Sequence, residues 1–185
     1  CSRDWSSDVC SSDLLTAATT QIDVIMTPDA DFKFGPYEKL SDYTAKTVSQ
    51  TVKKRVLGKE DIIYVSMAGV SANGGTSFSD SVDLQTAFDY ASAGQTILLK
   101  DETYALDKTF TIARGSNGTA DSMINVKTEN DAFVTLDFQG KGAGITVGGD
   151  YWNITHLNVT RSTGKGMSVA GNHNVIEQCN FYNNA

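Results

Sequence analysis

The chain has 185 residues and a net charge of −7, and 40% of its residues are hydrophobic while 20% are charged. These values are typical of a globular protein, and no apolar run approaches the roughly 18 residues that a membrane-spanning helix needs. No basic block is long enough to neutralise a nucleic-acid backbone, so the sequence predicts neither membrane spans nor nucleic-acid binding. An acidic protein that binds an anionic polymer needs a positive group between the two, and a divalent cation is the simplest candidate.

The first fourteen residues are predicted to be a sequencing artefact, disordered and outside the fold. Residues 4–14 read DWSSDVCSSDL, which back-translates without a gap to a sequence that resembles a common sequencing-library adapter. The alternative is a natural flexible terminus rich in Ser and Asp. Without residues 1–14, Cys179 is the one remaining cysteine, and no disulfide framework or metal-binding cysteine spacing is left. The chain opens without Met and stops abruptly at Ala185, so we expect it to belong to a longer reading frame.

Residues 15–61 are predicted to be the C-terminal part of a carbohydrate-binding β-sandwich. They hold strand-like stretches at 21–26 and 47–56, and a third begins at residue 61. The pattern over residues 43–66 has a weak resemblance to the last strands of such a module. The alternative is that residues 62–66 already begin the next domain, so the boundary between the two stays open.

One amphipathic helix is predicted upstream of the repeats. Its apolar positions are Leu84, Ala87, Phe88 and Ala91, with Asp80 or Ser81 as the N-cap and Gly94 at the C-terminal end. Strands are predicted at 96–99 and 109–112, followed by a loop at 114–121. A helix placed just before the first strand of a repeating β-structure would cover the open strand edge there.

The end of the chain repeats itself. Residues 144–162 align with residues 166–184 at a constant spacing of 22. Seven pairs match: Ile145 with Met167, Val147 with Val169, Gly149 with Gly171, Trp152 with Asn174, Ile154 with Ile176, Leu157 with Cys179, and Val159 with Phe181. A third copy is predicted 21 residues earlier, with Ile124 and Val126 under Ile145 and Val147, and with Phe133, Leu136 and Phe138 under Ile154, Leu157 and Val159.

The repeats predict an all-β protein, a right-handed parallel β-helix over residues 62–185. Apolar and polar residues alternate as in strands, and one unit of 21 or 22 residues can bury its apolar face only by stacking on its neighbours. We therefore expect Ile124, Ile145 and Met167 to lie in one column. Asn158 and Asn180, with Asp137 in the same position one unit earlier, are predicted to hydrogen-bond along the axis, and the alternative is two turn-forming Asn residues without a ladder. Cys179 is predicted to be a small core residue.

The sequence lacks the common catalytic signatures, including GxSxG, HExxH and the P-loop. The two histidines, His156 and His173, fall at different positions in the repeat and are interpreted as surface residues. Polar residues expected to flank the strands on the outside are Thr155, Thr160, Arg161, Lys165, Glu177 and Gln178. A polar groove along stacked strands suits an extended polysaccharide, because both repeat along one axis; ordinary solvated strand faces are the alternative.

Three segments resemble the N-terminal part of the catalytic domain of polysaccharide lyase family nine, the pectate lyases and exopolygalacturonate lyases. They are YVSMAGVSANGGTSF at 64–78, LQTAFDYASAGQTILLKDETY at 84–104, and GDYWNITHLNVTRSTGKGMSVAGNHNVIEQCNFYNN at 149–184. The last segment is the most specific. The resemblance implies a right-handed parallel β-helix and cleavage of polygalacturonate by β-elimination.

The resemblance also implies Ca²⁺, which neutralises the uronate carboxylate, and a Lys that takes the C5 proton. This region contains no Asp-Asp pair, so we expect the calcium site and the base to lie beyond Ala185 and this chain alone to be inactive. Arg161, in the motif VTRS, is predicted to contact substrate, and a structural salt bridge is the alternative. The complete protein is expected to be secreted and monomeric. Other readings are a lyase or hydrolase of another acidic polysaccharide, and a β-helical adhesin or tailspike-like binding protein.

Overall fold

The computed structural model describes residues 55–185, and upstream of these the strands at 19–26, 33–34, 38–39 and 46–53. The chain divides into two compact units, 1–55 and 56–185. In the first unit, β1 (Thr19–Met26) pairs antiparallel with β4 (Lys46–Lys53), and β2 (Lys33–Phe34) pairs with β3 (Glu38–Lys39). The adapter-like residues 1–14 lie outside the described part of the chain, and the carbohydrate-binding sandwich stays a prediction.

The second unit is a right-handed parallel β-helix, as the repeats predicted. Its strands are β5 (Ile62–Val65), β6 (Thr96–Leu99), β7 (Thr103–Ala105), β8 (Phe110–Ile112), β9 (Ile124–Thr128), β10 (Val134–Asp137), β11 (Gly144–Val147), β12 (Trp152–Thr155), β13 (Leu157–Thr160), β14 (Gly166–Val169), β15 (Val175–Glu177) and β16 (Asn180–Tyr182). They form a five-stranded sheet (β5, β6, β9, β12, β15), a four-stranded sheet (β7, β10, β13, β16) and a three-stranded sheet (β8, β11, β14). Each coil contributes its strands to these sheets in the same order, and every strand pairing within the sheets is parallel.

The core consists of columns of apolar side chains, one from each coil. The longest column, in the five-stranded sheet, contains Ile63, Ile97, Val126, Ile154 and Ile176. Its first four members are at most 1% exposed, and Ile176 packs against the same core while partly exposed. Each coil buries the apolar face of its neighbour, so the sheets are stabilised chiefly by contacts between coils.

The predicted 22-residue register is confirmed for the last two coils, but the 21-residue register of the coil before them is wrong. Ile145 pairs with Met167 as expected, whereas the residue on the other side of Ile145 is Phe110, not Ile124. Ile124 lies in the five-stranded sheet, where it pairs with Trp152, 28 residues away.

The four-stranded sheet shows the same error, since Leu136 pairs with Val159 rather than Leu157. The corners of the earlier coils differ in length. A 3-10 turn at Glu129–Asp131 lies where the later coil turns at the single residue His156. No single spacing therefore describes all the coils.

Helix α1 (Leu84–Tyr90) forms where the apolar spacing predicted it, with Leu84, Ala87 and Phe88 buried. Its N-cap is Asp83, and the prediction of Asp80 or Ser81 is wrong. The Asp83 carboxylate accepts hydrogen bonds from the Thr86 backbone N at 3.0 Å and from Thr86 Oγ1 at 2.7 Å.

The Asp80 carboxylate is used in the preceding turn, where it accepts hydrogen bonds from the Gly74 backbone and from Thr76. At the other end, Ala91 caps the helix, so the prediction of Gly94 as the closing residue is also wrong. Gly94 follows three residues later with a φ of +86°.

Helix α1 covers the open edge of the three-stranded sheet. The Gln85 side chain donates from Nε2 to the carbonyl oxygen of Thr111 at 2.8 Å, and Gln85 Oε1 accepts from the Thr111 backbone N at 3.0 Å. These two hydrogen bonds replace those that a neighbouring strand would make with β8. The Gln85 side chain thus forms hydrogen bonds with backbone groups at the edge of β8, which disfavours pairing of this edge with a strand of another molecule.

The corners between sheets turn at residues in the left-handed region, and these recur with the coils. One column contains Gln139, Arg161 and Asn183, with φ values of +53°, +54° and +54°. Another contains Tyr151 and His173, whose rings stack with centroids 4.6 Å apart. Left-handed backbone is unfavourable for residues other than Gly, so its recurrence shows that coil stacking fixes the corner geometry.

Two valines of one column provide a test of the stacking. Val147 is fully buried between Ile112 and Val169, whereas Val169 in the last coil is 47% exposed. Val147→Ala should lower the free energy of unfolding by about 1.5–3 kcal/mol, and Val169→Ala by clearly less, because only the first leaves a cavity. Urea denaturation of both variants measures this difference, and equal losses would contradict the assignment of Val147 to the core.

Candidate functional site

The candidate site is built around Arg161, at the corner that follows β13. Arg161 Nε donates to Asp137 Oδ1 at 2.7 Å, and Arg161 Nη2 donates to Asp137 Oδ2, so the ion pair is bidentate. Asp137 ends β10, one coil earlier, and its side chain is only 15% exposed, while that of Arg161 is 56% exposed. The guanidinium is therefore held on one side and open to solvent on the other.

The ion pair favours the charged state of both groups. Hydrogen bonds from Arg161 lower the pKa of the Asp137 carboxyl, and the same bonds raise the pKa of Arg161. A bond from the Gln139 backbone N to Asp137 Oδ1 adds to the effect on Asp137. The salt bridge that the sequence offered as an alternative for Arg161 is present, while contact with substrate stays a prediction.

An open groove of about 520 Å³ lies beside Arg161. Its lining comes from two corners and the end of the chain: Gln139, Gly140, Arg161, Ser162, Asn183, Asn184 and Ala185. Asn184 Oδ1 accepts from the Ser162 backbone N at 3.0 Å, and Asn184 Nδ2 donates to the Val159 carbonyl at 3.0 Å. These bonds fix the groove wall without using the exposed side of the guanidinium.

A smaller cleft of about 200 Å³ lies between helix α1 and the corner that follows β7. Asp83, Tyr104 and Lys108 are among its lining residues. Asp83 is occupied as the helix cap, and the Tyr104 hydroxyl donates to the Val65 carbonyl at 2.9 Å. Burial raises the pKa of Tyr104 above its usual range, so this hydroxyl is a structural donor at neutral pH.

The predicted asparagine ladder is present, with one member corrected. Asn180 Nδ2 donates to Asn158 Oδ1 at 2.8 Å, and Asn158 Nδ2 donates to Thr135 Oγ1 at 3.4 Å. Thr135 thus occupies the position predicted for Asp137, which lies two residues further along β10 and binds Arg161 instead.

Cys179 behaves as the core residue that the repeat predicted. It packs against the hydrophobic core, and its thiol lies 3.3 Å from the Glu177 carbonyl oxygen. Burial raises the pKa of the Cys179 thiol, which disfavours the thiolate that a nucleophile or a metal ligand needs.

Two of the polar residues predicted to lie on the outside are buried. Thr155 is 8% exposed and Thr160 is 6% exposed, so neither offers a solvated surface. Arg161, Lys165, Glu177 and Gln178 are exposed as predicted. His156 and His173 lie at different corners, as their unequal repeat positions indicated.

The described residues do not fit a calcium site. Within residues 55–185, no group of three or more His, Cys, Asp or Glu side chains lies close enough to hold a metal ion. Calcium requires six to eight oxygen ligands, whereas the groove lining contains no carboxylate side chain and the nearby Asp137 is bound to Arg161. This part of the chain offers an open groove beside a fixed cation, Arg161.

Comparison with known proteins connects this fold to one family. The family described as Pel9A-like, right handed beta helix region, matches residues 63–185. Pectate lyase L of Thermoclostridium stercorarium is 34% identical over 163 residues, which cover 87% of this chain and 13% of that protein. Pectate lyase L of Dickeya chrysanthemi is 34% identical over 134 residues, which cover 66% of this chain and 32% of that protein.

Among solved structures, the crystal structure of pectate lyase Pel9A matches with a TM-score of 0.59 and 30% identity, covering 70% of this chain and 34% of that chain. The chain thus spans about an eighth to a third of the length of these relatives. The match to the Thermoclostridium protein includes residues upstream of residue 63, because residues 63–185 make up only two thirds of the chain.

Replacing Asp137 with Asn should remove a pH-dependent contribution to stability. Because the folded-state pKa of Asp137 is depressed, the ion pair stabilises the fold fully above the unfolded-state pKa, and this stabilisation is lost as the pH falls through the folded-state value. The free energies of unfolding of the parent and Asp137→Asn should therefore differ near neutral pH and converge in acid.

Urea denaturation across this pH range measures the difference, and Arg161→Gln is the matched background. In the Arg161→Gln background, which lacks the guanidinium, the change in unfolding free energy caused by Asp137→Asn should depend much less on pH. The same pH dependence in both backgrounds would show that Arg161 is not its cause.

Proposed function

The chain belongs to the Pel9A-like right-handed β-helix proteins of polysaccharide lyase family nine, and from this premise we propose that the complete protein cleaves pectate by β-elimination. The observation that carries the proposal is the 34% identity to pectate lyase L over 87% of this chain. A second pectate lyase L and the structure of pectate lyase Pel9A support the same substrate class. Because the chain spans only part of each relative, the activity is proposed for the complete protein.

The proposed reaction removes the C5 proton of a galacturonate residue, α to its carboxylate. A base takes this proton, the glycosidic C4–O bond breaks, and a C4–C5 double bond forms at the new non-reducing end. The electron pair of the C–H bond becomes the new π bond, and the departing sugar oxygen is protonated. The proposed base is a Lys beyond Ala185, in keeping with the family.

Calcium dependence is part of the proposal, with the ion bound by carboxylates beyond Ala185. The described residues do not provide such ligands, so no step is assigned to the ion here. In this proposal, the described coils do not bind the ion but serve as the support on which further coils stack. Their stacked strands and capped first edge give the coils that follow a surface on which to continue the helix.

Secretion and a monomeric state complete the proposal. Pectate is a polymer too large to reach an enzyme inside a cell, which supports action outside it. The apolar columns are built from successive coils of one chain, so the fold needs no second copy. Within the part of the chain that the structure describes, no helix is long and apolar enough to cross a bilayer.

The complete protein should release unsaturated oligogalacturonates from polygalacturonate. Treatment with a chelator should abolish the release, and added Ca²⁺ should restore it. Ultraviolet absorbance of the unsaturated product measures the reaction, with a neutral galactan as the control substrate. Saturated products would identify a hydrolase, and binding without any cleavage would identify a non-catalytic adhesin; either result would contradict the proposal.

The 185-residue chain alone, assayed beside the complete protein, should show no cleavage. The described residues place no metal cluster at the groove, and the proposed base lies outside this chain. Calcium-dependent cleavage by the 185-residue chain would contradict the placement of the calcium site and the base beyond Ala185.

A further inference from the structure

We propose that one edge of the solenoid is a binding surface for an acidic polysaccharide chain that lies along the solenoid axis. This edge, the basic corner, is formed by residues 106–109, 138–143 and 161–165, the corners that connect the four-stranded to the three-stranded sheet. The class of ligand rests on the proposed function. The placement of the surface rests on the charges and the stacking of the described residues.

The three segments of the basic corner lie directly on one another. The Ala143 backbone N donates to Thr109 Oγ1 at 2.9 Å, which joins the first segment to the second. The Thr163 backbone N donates to the Gly142 carbonyl at 2.8 Å, and the Gly140 backbone N donates to the Arg161 carbonyl at 2.7 Å, which join the second to the third. The corner therefore rises in steps of one coil, about 4.8 Å each.

Each segment of the basic corner carries at least one exposed cation. Lys108 lies in the first, Lys141 in the second, and Arg161 and Lys165 in the third. Coil stacking brings these residues together although their spacings in the sequence are unequal. The first segment also carries the exposed Asp107, so the basic corner holds four cations against one exposed carboxylate, in a protein whose net charge is −7.

None of the three lysines of the basic corner forms an ion pair with a carboxylate of the described residues. Lys108 Nζ lies 5.6 Å from the centroid of the Phe110 ring, and Lys141 Nζ donates to Gln139 Oε1 at 3.4 Å. Ion pairs that the structure describes join Lys59 to Glu60 and Arg161 to Asp137. Only Arg161 has a fixed counter-charge, and that contact leaves part of its guanidinium open to the 520 Å³ groove.

The charge is specific to this edge. The corner that connects the five-stranded to the four-stranded sheet has the opposite sign, with Asp101, Glu102, Glu129 and Asp131 against Lys100. An anionic chain is therefore attracted to one edge of the solenoid and repelled from another. A uronate polymer carries one carboxylate per sugar, so a chain lying along the axis presents repeated negative charges to corners that recur about every 4.8 Å.

Arg161 has a distinct part in the proposed surface. Its guanidinium is oriented by Asp137, so it presents a planar donor edge in a fixed direction, whereas the lysines are mobile point charges. The predicted substrate contact of Arg161 is thus refined to a carboxylate of the bound chain, with Asp137 as its positioning residue.

The test compares two double variants with equal changes in charge. Lys141→Gln/Lys165→Gln removes two charges from the basic corner, and Lys100→Gln/Lys127→Gln removes two exposed charges elsewhere on the solenoid. The probes are tetragalacturonate and a neutral galactan oligomer of equal length, titrated calorimetrically into the 185-residue chain at low and high salt. Urea midpoints equal to that of the parent show that each variant is folded.

The basic-corner variant should bind tetragalacturonate about two- to tenfold more weakly than the parent, the effect of losing two exposed charge contacts. The control variant should bind like the parent, added salt should weaken binding, and the neutral oligomer should bind poorly. Equal losses in both variants, no loss in either, equal binding of the neutral oligomer, or no binding by the parent would overturn the proposal.

The lyase assay of the complete protein separates this proposal from the proposed function. If it cleaves polygalacturonate and the basic-corner variant has a raised KM with an unchanged kcat, both proposals are supported. Cleavage with an unchanged KM in that variant would overturn the basic corner alone. Absence of cleavage, with binding that still depends on Lys141 and Lys165, would overturn the lyase function alone.

Discussion

Every feature of the β-helix unit depends on the stacking of apolar side chains from one coil onto the next. No coil has a core of its own: Ile97, Val126 and Ile154 are buried because each lies between two others in one column. Parallel backbone pairing fixes the distance between coils, so whatever stands at a corner is repeated at that distance. The asparagine ladder, the recurring left-handed residues and the basic corner all follow from this constraint.

The sequence predicts those parts of the fold in which the spacing of residues is constant. Coils with equal corners keep a 22-residue period, and there Ile145 and Met167 pair as expected. Earlier coils have corners of unequal length. Because alternating apolar residues match one another at several offsets, the sequence alone does not distinguish the 21-residue alignment of Ile124 with Ile145 from the correct register. The apolar face predicts the helix but not its N-cap, because Asp80 and Asp83 are both good hydrogen-bond acceptors. Only the fold shows that Asp80 binds Thr76 in the preceding turn, while Asp83 accepts from the helix N-terminus.

The candidate site was predictable only in part for the same reason. The sequence singles out Arg161, but its partner Asp137 lies 24 residues away, off the 22-residue period, and was assigned to the ladder. The corner lysines have no regular spacing, so the sequence does not show that Lys108, Lys141 and Arg161 lie on the same stacked corner of successive coils. Similarity to pectate lyases supports the proposed substrate class, whereas the described coils supply the surface on which an anionic chain is proposed to lie.

Disulfide cross-linking tests the coil register most directly. In a background without Cys1, Cys10 and Cys179, cysteines at Thr111 and Thr146 occupy paired positions of adjacent parallel strands, within the Cα separation that a disulfide spans. Cysteines at Asn125 and Thr146 follow the 21-residue repeat but lie in different sheets. The stacking described here predicts rapid oxidation of the first pair and none of the second. Cross-linking of the second pair in place of the first would contradict it.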